Sequence, residues 1–316
     1  MMRELFIKLG KKKLIILSSI AVIVLAVLIT TIVLIVGNSV KNQKGEKERE
    51  ANKNLYSSSE SSTSSTAKTG WQPDDEAVNA EGIKASFEKL YAKNKDIRGW
   101  ISIPGTKLDL AVTQGKDNAY YLDRNLEKQK FAFGVPFMDY RTSLTPTSQS
   151  DNITMYGHAA KDGSFFAPVK EYKNINFYKE HPTITFNTIY GKGEYKVIAR
   201  FTEDVRVENP KIFNYHDYYD LGSEKLFNHF VENVLKRSYF DAPVDIKPGD
   251  KFITLSTCNI EVVNSLSTPY RDVLVARKVR VGEDPKVDVA KVKENTDMIM
   301  PDGWIKKFGK KNPYQK

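Results

Sequence analysis

Cysteine is all but missing from this sequence: the 316 residues include one, Cys258. A lone thiol excludes a disulfide framework, so any folded part is held by its core alone. The thiol itself is either a small buried hydrophobe or a reactive group. Histidine is scarce as well, with four residues, and none stands in a His-Glu-x-x-His arrangement. Calcium-loop and paired Cys-x-x-Cys spacings are absent too, so neither a metal nor another cofactor is expected. There is no Gly-x-Ser-x-Gly elbow. The glycines of Tyr190-Gly191-Lys192-Gly193 lack the spacing and following helix of a phosphate loop, and read instead as a hairpin turn. Positive charge is missing where a nucleic-acid-binding domain would need it. The net +9 resides in residues 1–40 (five basic, one acidic) and 285–316 (eight basic, four acidic). Residues 41–80 come to −1, which leaves +2 for residues 81–284 and excludes nucleic acid as a partner.

What is present begins with 23 uncharged residues, 14–36, nearly all Leu, Ile, Val and Ala. About 20 apolar residues span a bilayer as a helix, whereas the apolar part of a cleaved signal is shorter and ends at small residues. The spacing therefore predicts a transmembrane helix over 14–36. Arg3, Lys8, Lys11, Lys12 and Lys13 precede it, which assigns residues 1–13 to the cytoplasm and the remainder to the outside. Residues 37–80 mix alternating charges with a Ser/Thr run over 57–66, a composition expected of a flexible extracytoplasmic linker.

From residue 81 the pattern changes. Ile83, Phe87, Leu90 and Tyr91 predict a helix over 81–97. Short strands follow: Trp100-Ile101-Ser102-Ile103 and Leu108-Asp109-Leu110-Ala111-Val112 alternate around the turn Pro104-Gly105. Further strands are expected at 133–138, 152–156, 183–187, 194–201, 251–257 and 271–281. One longer helix, with Ser223 as N-cap and an apolar stripe through Leu226, Phe227, Phe230, Val231, Val234 and Leu235, interrupts them. The fold class is thus mainly β, a closed or nearly closed barrel of about eight strands with an N-terminal helix and the longer helix before the last strands. Residues 285–316 lose the strand pattern and are expected to form a basic tail, either on the surface toward anionic envelope components or simply solvated.

Cys258 ends the strand Phe252-Ile253-Thr254-Leu255-Ser256-Thr257, a rigid mount for a nucleophile. Arg271 opens the next strand thirteen residues later. An antiparallel pairing makes those two ends neighbours. His158 follows Asn152-Ile153-Thr154-Met155-Tyr156-Gly157, again just past a strand end, and imidazole is the usual partner of a thiolate. His181, at a strand entry, His216, in an aromatic turn, and His229, on the longer helix, read as structural or solvated. Asp109 and Asp139 read as hydrogen-bonding carboxylates.

These residues resemble the sortases, the Gram-positive transpeptidases that attach proteins to the cell envelope. Thr254-Leu255-Ser256-Thr257-Cys258 is similar to the family's Thr-Leu-x-Thr-Cys strand, in the Ser form of class B. Tyr156-Gly157-His158 resembles its histidine motif, and Arg271-Asp272-Val273-Leu274-Val275 its arginine strand. Ile97-Arg98-Gly99-Trp100-Ile101-Ser102-Ile103-Pro104-Gly105-Thr106, Tyr120-Tyr121 and Phe137-Met138-Asp139-Tyr140-Arg141 carry class B character as well. The resemblance covers about residues 81–284, the expected catalytic domain. It departs at Asn259, where many class B members have Asp.

The resemblance implies a sortase-type barrel and a two-step acyl transfer, with Cys258 as nucleophile, His158 as general acid and base, and Arg271 stabilising the oxyanion or substrate. It implies cleavage of an Asn/Ser-Pro-x-Thr-Gly/Asn signal after Thr in secreted partner proteins, a thioester on Cys258, and transfer to a peptidoglycan amine. Neither a metal nor another cofactor is implied, and the location is the cell membrane with the catalytic domain facing the wall. Three other readings stay open: a tethered cysteine peptidase that hydrolyses the thioester, a pilin-polymerising enzyme, and a non-enzymatic envelope-binding module.

Overall fold

The computed structural model describes residues 20, 23–33, 37, 45–56, 76–206, 212–265 and 267–309. The chain divides into two compact units, Met1–Ala51 and Asn52–Lys316. In the first, residues 23–33 are helical with exposed side chains. The Thr30 and Thr31 hydroxyls donate to the carbonyls of Ala26 and Val27 at 2.6 and 2.7 Å, so each is satisfied within the helix's own backbone. Residues 1–13 and, within the expected membrane span, 14–19, 21–22 and 34–36 lie outside the described residues. Among those described, no helix is long and apolar enough to cross a membrane.

Of the linker expected over 37–80, residues 38–44 and 57–75 lie outside the described residues, but 45–56 are helical. Glu, Lys and Arg are good helix formers, and Arg49 pairs with Glu46 one turn earlier at 3.4 Å. Within the second unit, Tyr56 stacks on Trp100 at 4.9 Å, and its hydroxyl accepts from Asn187 Nδ2 at 2.7 Å.

Eight strands close a barrel: β1 (Ile97–Ser102), β2 (Asp109–Thr113), β3 (Phe137–Met138), β4 (Asn152–Tyr156), β5 (Thr183–Thr188), β6 (Glu194–Asp204), β8 (Phe252–Cys258) and β9 (Tyr270–Lys278). Their order around it is β1-β2-β3-β4-β8-β9-β6-β5. Most neighbours are antiparallel, but β4 runs parallel to β8, and β2 to β3. β7 (Phe240–Asp241) and β10 (Lys293–Glu294) pair separately. The expected helix over 81–97 is shorter, a 3₁₀ turn Ala85–Phe87 and a helix Glu88–Lys93, because Ile97 belongs to β1.

Alternation sorts the side chains into two layers. Ile253, Leu255, Leu274, Ala276 and Val197 fill the barrel, while Phe252, Val273, Val275 and Phe201 face outward. The helix Glu224–Arg237 covers that outer layer with Phe227, Phe230 and Val234, and Ser223 Oγ caps it by accepting from the Leu226 N–H at 3.2 Å. A register shift in β6 between Val197 and Ala199 moves the following odd-numbered residues from the inside to the outside. That bulge is what sets Phe201, and two places on Glu203, on the outer side.

Residues 285–309 are not a solvated tail, and 310–316 lie outside the described residues. β10 pairs with β7, and a helix Asp302–Phe308 buries Trp304 completely, edge-on to Tyr239 at 6.3 Å. Trp304, together with buried Val292, Met298 and Met300, supplies the apolar area that holds a segment otherwise basic and aperiodic.

Candidate active site

β8 enters from the turn Pro248-Gly249-Asp250 and runs through buried, largely β-branched residues to Cys258, which is partly exposed. β9 returns antiparallel, and its register sets Arg271 directly opposite Cys258 and Asp272 opposite Thr257. On the other side β4 runs parallel to β8, with Tyr156 beside Ser256. Two residues further along each strand are His158 and Cys258. The three residues expected at the site therefore arise from adjacent strand ends, and all three line one groove of about 380 Å³.

Each is oriented differently. His158 Nε2 lies 2.9 Å from the Leu122 carbonyl oxygen. A carbonyl only accepts, so Nε2 carries the hydrogen, leaving Nδ1 free of that contact. Arg271 Nη1 donates to the carbonyls of Thr268 and Tyr270 at 2.6 and 2.9 Å. Those are its hydrogen bonds among the described residues, so Nε and Nη2 keep their donors for a ligand.

Asp272 does the fixing behind the reactive pair. It is buried, pairs with the buried Arg200 at 2.5 Å, and accepts from Asn259 Nδ2 at 2.8 Å and Thr202 Oγ1 at 3.2 Å. Asn259 also donates its N–H to the Tyr270 carbonyl at 2.9 Å, and its Oδ1 accepts from Glu261 N at 2.9 Å. The residues after the thiol and after the guanidinium thus grip one another across the hairpin. Arg200 lies over the Tyr239 ring at 4.4 Å, the ring against which Trp304 packs. Lys307 reaches the loop beyond Cys258, donating to the Glu261 carbonyl at 2.6 Å.

The walls are equally organised. Tyr215 donates to or accepts from Ser256 Oγ at 2.7 Å, and burial pushes its phenol up to about 12. Asp139 is fully buried and gathers Arg141 Nη2 at 2.8 Å, Tyr156 Oη at 2.8 Å and Asn118 Nδ2 at 2.9 Å. Burial opposes its ionisation, but those donors, Arg141 first, hold its carboxyl below the usual range. Its hydrogen-bonding role agrees with the sequence reading.

His216 is the residue whose setting the sequence misjudged. It lines the same groove, and burial lowers its pKa. The aromatic turn Tyr215-His216-Asp217-Tyr218 was the available signal. His181 bonds the Pro104 carbonyl at 2.8 Å and His229 bonds Asn233 on the long helix, both away from the groove. No cluster of His, Cys, Asp and Glu able to hold a metal occurs among the described residues.

Comparison with known proteins gives a consistent result. The sortase domain family model matches residues 101–279. The chain is 30% identical over 204 residues to sortase B of Staphylococcus aureus, covering 64% of this chain and 78% of that protein. It is 31% identical over 201 residues to sortase B of Listeria monocytogenes, covering 62% and 76%. A Staphylococcus aureus sortase B–substrate complex superposes with a TM-score of 0.64 at 26% identity, over 77% of this chain and 99% of that one. Sortase B from Bacillus anthracis superposes at 0.60 and 25% identity, over 76% and 99%.

Proposed function

We propose a mechanism and a cellular role for this chain from the premise that it belongs to the sortase family, in which it is a transpeptidase of the sortase B type. The observation that carries the proposal is the meeting of Cys258, Arg271 and His158 at three adjacent strand ends on one groove.

The Cys258 thiolate attacks the Thr carbonyl of an Asn/Ser-Pro-x-Thr-Gly/Asn signal in a secreted protein. The resulting oxyanion receives N–H donors from Arg271 Nε and Nη2, the two nitrogens free of backbone contacts. An amide nitrogen cannot leave as an anion, so the His158 imidazolium protonates it from Nδ1. The C–N bond then breaks and leaves a thioester on Cys258. A peptidoglycan amine attacks that thioester, gives its proton to His158, and releases the thiolate. The chain is anchored by the apolar segment 14–36, with residues 1–13 cytoplasmic and the catalytic unit facing the wall. The uncharged run and the exposed apolar helix over 23–33 support that placement.

Full-length chain in nonionic detergent, mixed with peptides bearing the signal, tests this by intact mass. The expected result is a gain equal to the peptide's N-terminal fragment, absent in Cys258→Ala and discharged as a conjugate by added amine. Discharge to free acid alone, with amine present, would instead mean a hydrolase. A folded chain that neither gains mass nor cleaves any such peptide would overturn the assignment of the signal.

A further inference from the structure

Between Cys258, which ends β8, and Tyr270, which opens β9, the described residues 259–265 and 267–269 form neither helix nor strand. The two ends of this loop meet at one atom. The Tyr270 carbonyl accepts from the Asn259 N–H and from Arg271 Nη1, both at 2.9 Å. Arg271 Nη1 also donates to the Thr268 carbonyl, in the loop itself, at 2.6 Å. Where the guanidinium sits over the groove therefore depends on where the Tyr270 backbone sits.

The side chain of Tyr270 is held by the C-terminal helix, Asp302–Phe308. Its ring is buried, and Gly303, the second residue of that helix, lies directly on its hydroxyl. A Cβ placed on Gly303 would overlap the hydroxyl oxygen and crowd the ring carbon behind it. Glycine within a helix costs about 1 kcal/mol relative to alanine, and here the close approach accounts for it. The next residue, the fully buried Trp304, pins the helix in that position. One turn on, Lys307 Nζ donates to the Glu261 and Val262 carbonyls at 2.6 and 3.3 Å. The helix thus touches the loop on both flanks, shortly after Cys258 and just before Arg271. It lies beyond residue 279, where the match to the family's domain ends.

We propose that the C-terminal helix positions the β8–β9 loop, and with it the Arg271 guanidinium, with Gly303 and Lys307 as positioning residues. The inference rests on Arg271 acting in the acyl transfer set out above. A close-packed interior transmits displacement instead of absorbing it. Pressure on the Tyr270 hydroxyl therefore shifts the backbone whose carbonyl Arg271 holds. A donor to an oxyanion works only at transition-state distance, and a misplacement of ~1 Å costs up to about 100-fold in rate. Neither Gly303 nor Lys307 lines the catalytic groove, so their effect falls on kcat and spares KM.

The test follows acylation of Cys258 by intact mass, using full-length chain in nonionic detergent and peptides bearing the signal. A parent that acylates with none of them overturns the acyl-transfer reading, and this inference with it. With an active parent, the variants decide the inference alone. Gly303→Ala should lower kcat per folded molecule about tenfold or more, with KM within about twofold. Adding Tyr270→Phe removes the oxygen that the new methyl group meets and should restore most of the rate, with Tyr270→Phe alone as its reference. Over Arg271→Ala the loss from Gly303→Ala should shrink to less than about twofold, because no guanidinium is left to misplace. Lys307→Met keeps the stem and drops the donors. It should melt like the parent and show a smaller fall in kcat, restored in Lys307→Arg. Lys306→Met, exposed beside it, is the control and should match the parent.

A helix that only adds stability would lower the melting temperature and leave kcat per folded molecule alone. Parent-like kcat in folded Gly303→Ala therefore overturns the proposal, as does a loss undiminished over Arg271→Ala. Where Gly303→Ala does not fold, parent-like kcat in Lys307→Met overturns it instead.

Discussion

Two arginines on one strand, Arg271 and Arg277, face the same side of the barrel and end up with opposite characters. Arg277 is fully buried, and Glu283 takes its Nη1 and Nη2 at 2.5 and 2.6 Å. Its cross-strand neighbour on β6, Lys196, donates to the same carboxylate at 2.6 Å. Arg271 is partly exposed and spends one nitrogen on two carbonyls. Its own neighbour on β6, Glu203, gives its carboxylate to Arg237 at 2.9 Å instead. The same residue type on the same strand is a structural bolt at one end and an available donor at the other. What separates them is whether a nearby carboxylate is committed elsewhere.

The strongest way to break this contrast is to remove each in turn. Arg277→Ala leaves Glu283 with Lys196 and the Arg280 N–H in a half-buried site and should cost about 3–5 kcal/mol in chemical denaturation. Acylation of Cys258 per folded molecule should hardly change. Arg271→Ala should do the reverse, with a melting temperature near the parent's and a loss of about 2.7–4 kcal/mol of transition-state stabilisation, read as kcat. Comparable effects of both variants on both quantities would mean the two arginines do not differ in kind.

The next effect concerns what stands behind Arg271. Trp304 packs on Tyr239, which lies against Arg200, the partner of Asp272. Trp304→Ala should cost about 3–4 kcal/mol of stability, and truncation after residue 284 should cost at least as much. A truncated chain with an unchanged melting temperature would show the C-terminal helix to be dispensable. Asp272→Asn comes third. It keeps the shape but leaves Arg200 buried without its counter-charge, at about 1.5–3 kcal/mol. Its specific mark is a fall in kcat at unchanged KM, because the grip between Asn259 and Asp272 positions the groups flanking them rather than touching substrate.

Much of the frame was legible in the sequence because it rests on local rules. Alternation located β1, β2, β4, β5, β6, β8 and β9 to within a few residues, and antiparallel pairing of consecutive strands suffices to set Cys258 near Arg271. Pairing at long range was not legible. Nothing local says that β4 lies parallel to β8, although that contact brings His158 to the groove. The Arg200–Asp272–Asn259 grip joins three elements, so no motif announces it. The C-terminal helix was missed because the residues that anchor its segment, Val292, Met298, Met300 and Trp304, recur at no regular spacing. The helix over 45–56 was missed because a stretch alternating in charge reads as solvated, although Glu, Lys and Arg are good helix formers.

The smallest prediction separates Glu203 from every other carboxylate at this end. Burial outweighs its pairing with Arg237 and raises its pKa to about 7, against ~4.3 for an unfolded glutamate. The folded chain therefore binds a proton across that interval that the unfolded chain does not, and stability falls as pH rises. Its contribution is complete below pH ~4 and lost as pH climbs through about 7. Asp139, with its carboxyl lowered, acts in the opposite direction and in a different window. What it contributes is present above its unfolded value near ~3.9 and is lost only on stronger acidification. Between pH 5 and 8 Glu203 should lower stability on the order of 1–3 kcal/mol, while His216, whose pKa burial lowers, acts in the opposite direction, so the difference in denaturation midpoints between parent and variant reads Glu203. Glu203→Gln should flatten that slope and leave the acid limb unchanged. Parallel slopes in parent and variant would mean that Glu203 stays ionised beside Arg237 throughout, so that Arg271 faces a permanently charged neighbour.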